Sequence, residues 1–412
     1  MAAQARGRRI GLVLSGGGAR GAYEAGVVCH LLEQVLPRLP TGTEFHVVSG
    51  TSVGAIHAAY VMASAGAPPA ERARRLEATW SEMEVAHVVR FGVTDLVAVP
   101  LRALGWRRLV RRVPPEAGAA DVVGGLVDVS PLERIVGERI PWATLPASLD
   151  RGRALCVTCT DVRTGLGTVF LDGPLADPGP WSFDPNATAE RTRIGPSHVR
   201  ASAAIPFLFP AVRVGECFYV DGGLRMNTPL SPALRLGCDR VLVVAVKHRR
   251  PPGAPCQAFP VEAITQPAFL LGKVLDALLL DQLEVEVQRL SVVNAVLDRG
   301  VEAFGADFLP KINEAVRARR GVGYRHVEHV MVRPSEDLGG IAAAAWRQGT
   351  ARGSLGVLPM LLTRLALRGV PEQEADLLSY LFFDRAFTRE LVALGREDAR
   401  RNEDALLALL AA

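Results

Sequence analysis

The apolar positions of this chain fall into two rhythms. Short unbroken runs come first: residues 10–14, Phe45-His46-Val47-Val48, residues 154–160, Cys217-Phe218-Tyr219-Val220 and residues 240–246. Runs of this length without polar alternation read as strands buried on both faces, as in a parallel sheet covered by helices. Stretches with helical character lie between them, notably residues 22–36 and 55–65. This alternation over residues 9–250 predicts an α/β unit. Two irregular stretches interrupt it, residues 116–127 and 173–196, the latter rich in Pro and Gly. They read as lid or entrance loops, or as plain surface loops. Beyond the connector Pro251-Pro252-Gly253-Ala254-Pro255 the pattern turns helical. Residues 269–293 carry Leu270, Leu271, Leu275, Leu278, Leu279 and Leu283, a face wide enough for core; residues 329–332 read as a late strand and 341–411 as helices. Residues 355–367 and 377–383 are dense enough in apolar side chains to suggest core packing first. The expected organisation is therefore a tail at 1–8, a catalytic domain at 9–250 and a mainly helical region at 251–412 packing on it. No internal repeat is present.

Glycine punctuates two of the strand ends. The run ending at Leu14 leads into Ser15-Gly16-Gly17-Gly18-Ala19-Arg20-Gly21, and the run ending at Val48 leads into Gly50-Thr51-Ser52-Val53-Gly54. Each is followed by a helical stretch. A serine between two glycines at a strand-to-helix turn is how a chain lifts a hydroxyl nucleophile clear of its backbone, although the same pentapeptide also occurs as a turn with a helix N-cap serine. The glycine loop places several backbone N–H groups at a positive helix end, where an anion can be held. Gly16-x-Gly18-x-x-Gly21 is formally a dinucleotide fingerprint, but Glu44 stands before the next strand rather than at its end, and the Gly-Lys-Ser/Thr of a P-loop is absent. Amide donors at one strand end and a serine at the next suit an oxyanion hole beside a nucleophile. Ser15 and Ser49 read as backbone-bonding turn residues. Arg20 reads either as a solvated arginine or as a cation that holds the loop's shape or meets a lipid phosphate.

The serine needs a base. Eight histidines are available, His30, His46, His57, His87, His198, His248, His326 and His329, and none stands in a setting that singles it out. His57, five residues after Ser52 on the same helical stretch, would point away from the bend. Asp221 is better placed: an apolar strand delivers its carboxylate to the Gly222-Gly223 turn, where backbone can approach another loop closely. A turn-forming aspartate at a strand end is the plainer alternative.

These motifs resemble the patatin-like phospholipase family. The resemblance rests on Gly16 to Gly21, on Gly50-Thr51-Ser52-Val53-Gly54, and on Asp221-Gly222-Gly223, in that order. Two segments between them also look like the family, Thr160-Asp161-Val162-Arg163-Thr164-Gly165 and the stretch Ala201-Ser202-Ala203-Ala204-Ile205-Pro206-Phe207-Leu208-Phe209-Pro210. The likeness spans residues 9–235. It implies a three-layer α/β/α fold and a Ser-Asp dyad acting on lipid acyl esters. Carried over by position, it implies Ser52 as nucleophile, Asp221 as base, and an oxyanion hole from the amides around Gly17, Gly18 and Ala19, within the loop Gly16 to Gly21. Gly50, Gly54, Gly222 and Gly223 support the two turns. Gly223 stands where many members carry Ala, an equally small residue.

Composition agrees with an enzyme that touches membranes without crossing them. The chain has 412 residues, 49% of them hydrophobic, and no uninterrupted apolar run of the length a span requires. Arg6, Arg8 and Arg9 ahead of the first run imitate a signal peptide, yet that run feeds the glycine loop, so secretion by this route is not expected. Net charge is only +4, and Lys occurs just at Lys247, Lys273 and Lys311, so almost all cations are Arg. Residues 91–112 combine Phe91, Leu96, Val99, Leu101, Leu104 and Trp106 with Arg102, Arg107, Arg108, Arg111 and Arg112. That pattern suits an anionic lipid surface, and equally a packed helix pair with an arginine-rich outer face. Six cysteines give no disulfide framework, and Cys156-x-x-Cys159 lies in a buried-strand pattern with no second pair, so core thiols are expected rather than a zinc or redox site. No metal, organic cofactor or nucleic acid is called for. A cytoplasmic lipid acyl hydrolase, peripheral at the inner membrane face, is the expectation; an acyltransferase or thioesterase using Ser52, or a lipid-binding protein without turnover, are the alternatives.

Overall fold

The computed structural model describes residues 8–40, 42–90, 122–125, 127–206, 208–248, 282–347 and 376–411. The expectations for residues 91–112, 251–255 and 355–367, for most of 116–127 and for the first half of 269–293 lie outside the described residues.

Among the described residues, ten strands form one mixed sheet. They are β1 Ile10–Leu14, β2 Val47–Thr51, β3 Val122–Val123, β4 Ala154–Asp161, β5 Gly167–Asp172, β6 Ala187–Arg191, β7 Ala211–Val214, β8 Cys217–Asp221, β9 Arg240–Val244 and β10 Glu328–Val332. Their order is β10-β9-β1-β2-β4-β8-β7-β3, and β5 pairs with β4 and carries β6 on its far side. The run from β10 through β9, β1 and β2 to β4 is parallel. β1, β2, β4 and β9 are buried throughout, which is why their apolar runs show no alternation.

Side chains still alternate between the two faces of the sheet. Leu12, Leu14, Val48, Leu155, Val157, Leu242 and Val244 pack on one side with the helices Gly21–His30 and Val53–Ala63. Val13, Val47, Cys156, Val241 and Val243 pack on the other with Leu230 and Ala233 of the helix Leu230–Arg235 and with Leu283 and Leu290 of the helix Gln282–Phe304. The result is the three-layer α/β/α arrangement, and each fully buried Leu or Val contributes roughly 1.5–3 kcal/mol. β10, late in the sequence, extends the parallel run: Glu328 pairs with Arg240 and Val332 with Val244.

Helix Gly21–His30 is buried on every side, because the C-terminal helix Arg385–Arg401 covers it from outside. That outer helix buries Phe387, Leu391, Val392, Gly395 and Ala399 along one stripe, and Asp384 caps it by accepting N–H bonds from Ala386 at 2.9 Å and Phe387 at 3.3 Å. The two helices touch through backbone. A Cβ on Gly26 would collide with the carbonyl of Val392, and one on Gly395 with the carbonyl of Tyr23.

Three expectations change. The helix expected over 22–36 keeps regular geometry only to His30, then widens over Leu31–Val35 and tightens over Leu36–Arg38, where Pro37 cannot continue it. The irregular stretch 173–196 contains β6, whose alternate residues Thr188, Glu190 and Arg191 are exposed or partly exposed, so no apolar run announced it. In the described part of 269–293, Leu283 and Leu290 are buried while Val285 and Val292 are exposed, so the face toward the core is narrower than expected.

Gly395→Ala is expected to lower stability by about 1–3 kcal/mol, since a backbone carbonyl cannot move aside. Gly137→Ala, in the helix Ser130–Arg139 with nothing within 4 Å of the added carbon, is expected to raise it by about 0.5–1 kcal/mol. Denaturant midpoints of the two variants check this contrast.

Candidate active site

Ser52 sits where β2 leaves the sheet. Its φ of 56° and ψ of −126° make it, among the described residues, the one non-glycine residue with positive φ. Three surrounding contacts enforce that bend. A Cβ at Gly50 would collide with the carbonyl of Gly54, and one at Gly54 with the carbonyls of Leu14 and Ser15. The Ser52 N–H donates to Ser202 Oγ at 2.9 Å, and Ser202 Oγ donates to the Thr158 carbonyl at 2.6 Å. The Ser52 carbonyl accepts the Ala55 N–H at 2.9 Å, starting the helix.

Strand register brings Asp221 to the same point. β2 pairs with β4 up to Thr51 opposite Thr158, and the next residue of β4, Cys159, pairs instead with Asp221 of β8. Since β5 occupies the other edge of β4, β8 takes up the edge that β2 vacates at Ser52. Asp221 is buried; its Oδ1 accepts the Gly223 N–H at 2.7 Å, and its carbonyl accepts Thr160 Oγ1 at 2.9 Å. A Cβ at Gly222 would collide with the Thr158 carbonyl, so the turn can lie this close to β4 only with glycine. Burial pushes the Asp221 carboxyl up to about 6; a hydrogen bond with the Ser52 side chain and then the Gly223 amide act against that rise.

The glycine loop folds over Ser52, with Gly16 so near that a Cβ there would lie 3.1 Å from Ser52 Cβ. Some of its amides are used in holding its shape. Gly16 N–H donates to the Asn227 carbonyl at 2.9 Å, Asn227 Nδ2 returns a bond to the Gly16 carbonyl at 3.1 Å, and Arg20 N–H donates to Gly17 at 3.1 Å. Gly21 N–H is likewise taken by the Gly18 and Ala19 carbonyls. Gly17, Gly18 and Ala19 donate to no protein acceptor among the described residues, which leaves three adjacent amides beside Ser52. Gly18 needs its φ of 55° and would meet the Tyr380 carbonyl with any side chain.

Arg20 is buried rather than solvated. Its Nε donates to Ser379 Oγ at 2.8 Å and its guanidinium lies 4.2 Å from the Tyr380 ring centroid, so it ties the loop to the helix Asp376–Leu381. Ser15 Oγ donates to the Val244 carbonyl and Ser49 Oγ to the Pro229 carbonyl, each at 2.8 Å, as turn residues do. His57 has both ring nitrogens engaged, by Glu24 and Trp80, and is not available to Ser52 as a base. Cys156 and Cys159 face opposite sides of the sheet, and burial pushes both thiols up, so they form no shared site. No group of three or more His, Cys, Asp or Glu among the described residues could hold a metal ion.

A narrow slot of about 70 Å³ opens at Ser52, walled by apolar side chains that include Ile56, Tyr60, Leu76, Met83, Ile135 and Phe383. The arrangement is a hydroxyl, a carboxylate that titrates within reach of neutral pH, three free amides and an apolar trough, which together can carry out acyl transfer. Ser52, Asp221 and the loop, singled out in the sequence, lie together in the structure. Sequence reasoning did not identify Ser202 as the anchor of the bend, Asn227 as the loop's brace, or Ser379, Tyr380 and Phe383, whose neighbours lie more than 300 residues away.

A family model for patatin-like phospholipase matches residues 12–234. Among solved structures the chain is similar to VipD from Legionella pneumophila, at 15% identity and TM-score 0.34, over 91% of this chain and 67% of that one. It is also similar to human GIVD cytosolic phospholipase A2, at 12% identity and TM-score 0.39, over 98% of this chain and 62% of that one. The same human enzyme in complex with methyl gamma-linolenyl fluorophosphonate gives 12% identity and TM-score 0.38, over 98% of this chain and 59% of that one. The chain thus spans about three fifths of the human protein. No curated protein sequence matches. No helix among the described residues is long and apolar enough to cross a membrane.

The rise of the Asp221 carboxyl from 3.8 to about 6 means that the folded state prefers it protonated, so its burial weakens folding as pH climbs from about 4 to about 6. Asp221→Asn keeps an acceptor for the Gly223 N–H and removes the charge. It is expected to be more stable than the parent above pH 6 by up to about 3 kcal/mol, with the gap closing toward pH 4. Thermal unfolding across that range checks this.

Proposed function

The chain belongs to the patatin-like phospholipase family, and from that premise we propose that it is a lipid acyl hydrolase working through a Ser52–Asp221 dyad and an acyl-serine intermediate. The observation that carries the proposal is the register of β4, which sets Asp221 beside Cys159 at the point where β2 turns away at Ser52.

A serine hydroxyl is a weak nucleophile until a base takes its proton. Asp221 is suited to that work because burial has raised its proton affinity, with the Ser52 side chain close enough to act against that rise. As Ser52 Oγ attacks the ester carbonyl, its proton passes to Asp221 and negative charge gathers on the carbonyl oxygen. The amides of Gly17, Gly18 and Ala19 form the oxyanion hole in this reading, and each such donor is worth roughly 100- to 1,000-fold in rate. Collapse of the tetrahedral intermediate expels the alcohol, which receives the proton from Asp221. Water then attacks the acyl-Ser52 ester, with Asp221 again accepting a proton, and the fatty acid leaves. The acyl chain lies in the slot lined by Ile56, Leu76, Met83 and Ile135, whose walls are mainly apolar.

Ser52→Ala and Asp221→Asn are each expected to lower phospholipid hydrolysis in mixed micelles by at least about 10,000-fold while the fold persists. In the parent, kcat/KM is expected to fall tenfold per pH unit below about 6, because the base must be ionised. A fluorophosphonate should label Ser52 in the parent and nothing in Ser52→Ala. Activity retained in either variant would overturn the dyad.

A further inference from the structure

The buried polar groups that this chemistry does not use converge on one chain of contacts. Glu24, in the first turn of helix Gly21–His30, is 0% exposed. Its Oε2 accepts the Ser15 N–H at 2.8 Å and its Oε1 lies 2.6 Å from His57 Nδ1. On the far side of the ring, His57 Nε2 accepts the Trp80 indole N–H at 2.8 Å.

An indole nitrogen can only donate. His57 Nε2 therefore presents its lone pair, the imidazole proton sits on Nδ1, and Glu24 Oε1 has to accept it. Both oxygens of Glu24 are then acceptors, the state of an ionised carboxylate. Burial pushes the Glu24 carboxyl above its usual range, while the His57 and Ser15 hydrogen bonds act against that rise, as does the N-terminal turn of the helix. Ser15 is the residue at which β1 becomes the glycine loop, and its hydroxyl is fixed separately by the Val244 carbonyl at 2.8 Å. Glu24 thus grips the backbone at the root of the loop, two residues before the first free amide.

We propose that Glu24 is a positioning residue for the oxyanion loop, and that Trp80, acting through His57, sets the direction of the hydrogen bonds that hold it. The proposal rests on the reading of Ser52 as the nucleophile. His57 and Trp80 also line the slot at Ser52, so one chain of bonds joins the wall of the slot to the root of the loop.

The direction of these bonds makes the proposal testable. Glu24→Gln replaces two acceptors with one acceptor and one donor. Whichever way the amide turns, its NH₂ meets either the Ser15 N–H or the His57 Nδ1–H, donor against donor. Adding Trp80→Phe frees His57 to carry its proton on Nε2, and Nδ1 can then accept from the introduced amide. Glu24→Gln is expected to lower kcat about 10- to 100-fold with little change in KM, less than the loss of an oxyanion donor itself. Measured against Trp80→Phe alone, the double variant Glu24→Gln/Trp80→Phe is expected to lose little further kcat, so that Glu24→Gln is costly only while Trp80 fixes the His57 tautomer. In ¹⁵N-histidine spectra, recorded in the Ser52→Ala background so that turnover plays no part, His57 should be the Nδ1–H tautomer and should switch to Nε2–H in the double variant. An unchanged kcat in Glu24→Gln, an equal fold-loss from Glu24→Gln in the parent and in the Trp80→Phe background, or an Nε2–H tautomer in the parent would each overturn the proposal. A parent that shows the right tautomer but hydrolyses no lipid ester would instead remove the reading on which it rests.

Discussion

Between the end of β1 and the first turn of helix Val53–Ala63 there is no room for a side chain on Gly54: a single added carbon would strike the carbonyls of Leu14 and Ser15. Gly50 meets the same limit against Gly54 itself. With three stretches of backbone in contact, Ser52 is forced to a positive φ, a conformation that costs on the order of 1–3 kcal/mol and persists only when its surroundings impose it. The bend also ends the pairing of β2 with β4 at Thr158, and the free edge beyond it is what β8 occupies with Asp221. Ser52 and Asp221 thus meet because one strand stops and another begins along the same edge.

The two buried carboxylates near this bend are handled differently. Burial raises the proton affinity of both, and among the described residues Asp221 accepts a single protein N–H, that of Gly223. Glu24 is buried more completely but stands in the first turn of a helix and is met by an amide and an imidazole whose proton direction Trp80 fixes. A carboxylate with an oxygen left open can take up a proton, whereas one held on both oxygens is fixed in place. The fold places both within the span between β1 and β8, so a poised group and a rigid one share a few neighbouring elements.

How much of this was legible in the sequence follows from where each constraint is written. The strands of the parallel run showed as unbroken apolar stretches because both their faces are covered, and the two glycine turns showed because a backbone collision leaves no alternative residue. Asp221 was legible from the Gly222-Gly223 turn, since Gly222 must lie against the Thr158 carbonyl. His57 was set aside as a base by counting along a helix, which could not reveal its bonds with Glu24 and Trp80. Ser202 and Asn227 carry no local signature: each acts on backbone brought near only by the sheet, 150 and 211 residues away along the chain. β6 escaped notice because an edge strand with exposed Thr and Glu lacks the apolar run that marked the others.

The segment that matches the family ends at residue 234, yet the site does not. The Ser52–Asp221 register is made entirely within that segment, from β2, β4 and β8. The glycine loop is held from both sides, by Asn227 within the matched segment and by Ser379 and Tyr380 far beyond it. Phe383 adds a wall of the slot, and Asp384 one residue later caps the helix whose backbone locks against Tyr23 and Gly26. A shift of that C-terminal helix would therefore carry Tyr380 with it and disturb the contact on Gly18, in the middle of the free amides. The position of Ser52 is a property of the sheet, whereas the shape of the loop facing it depends on how the C-terminal helices pack.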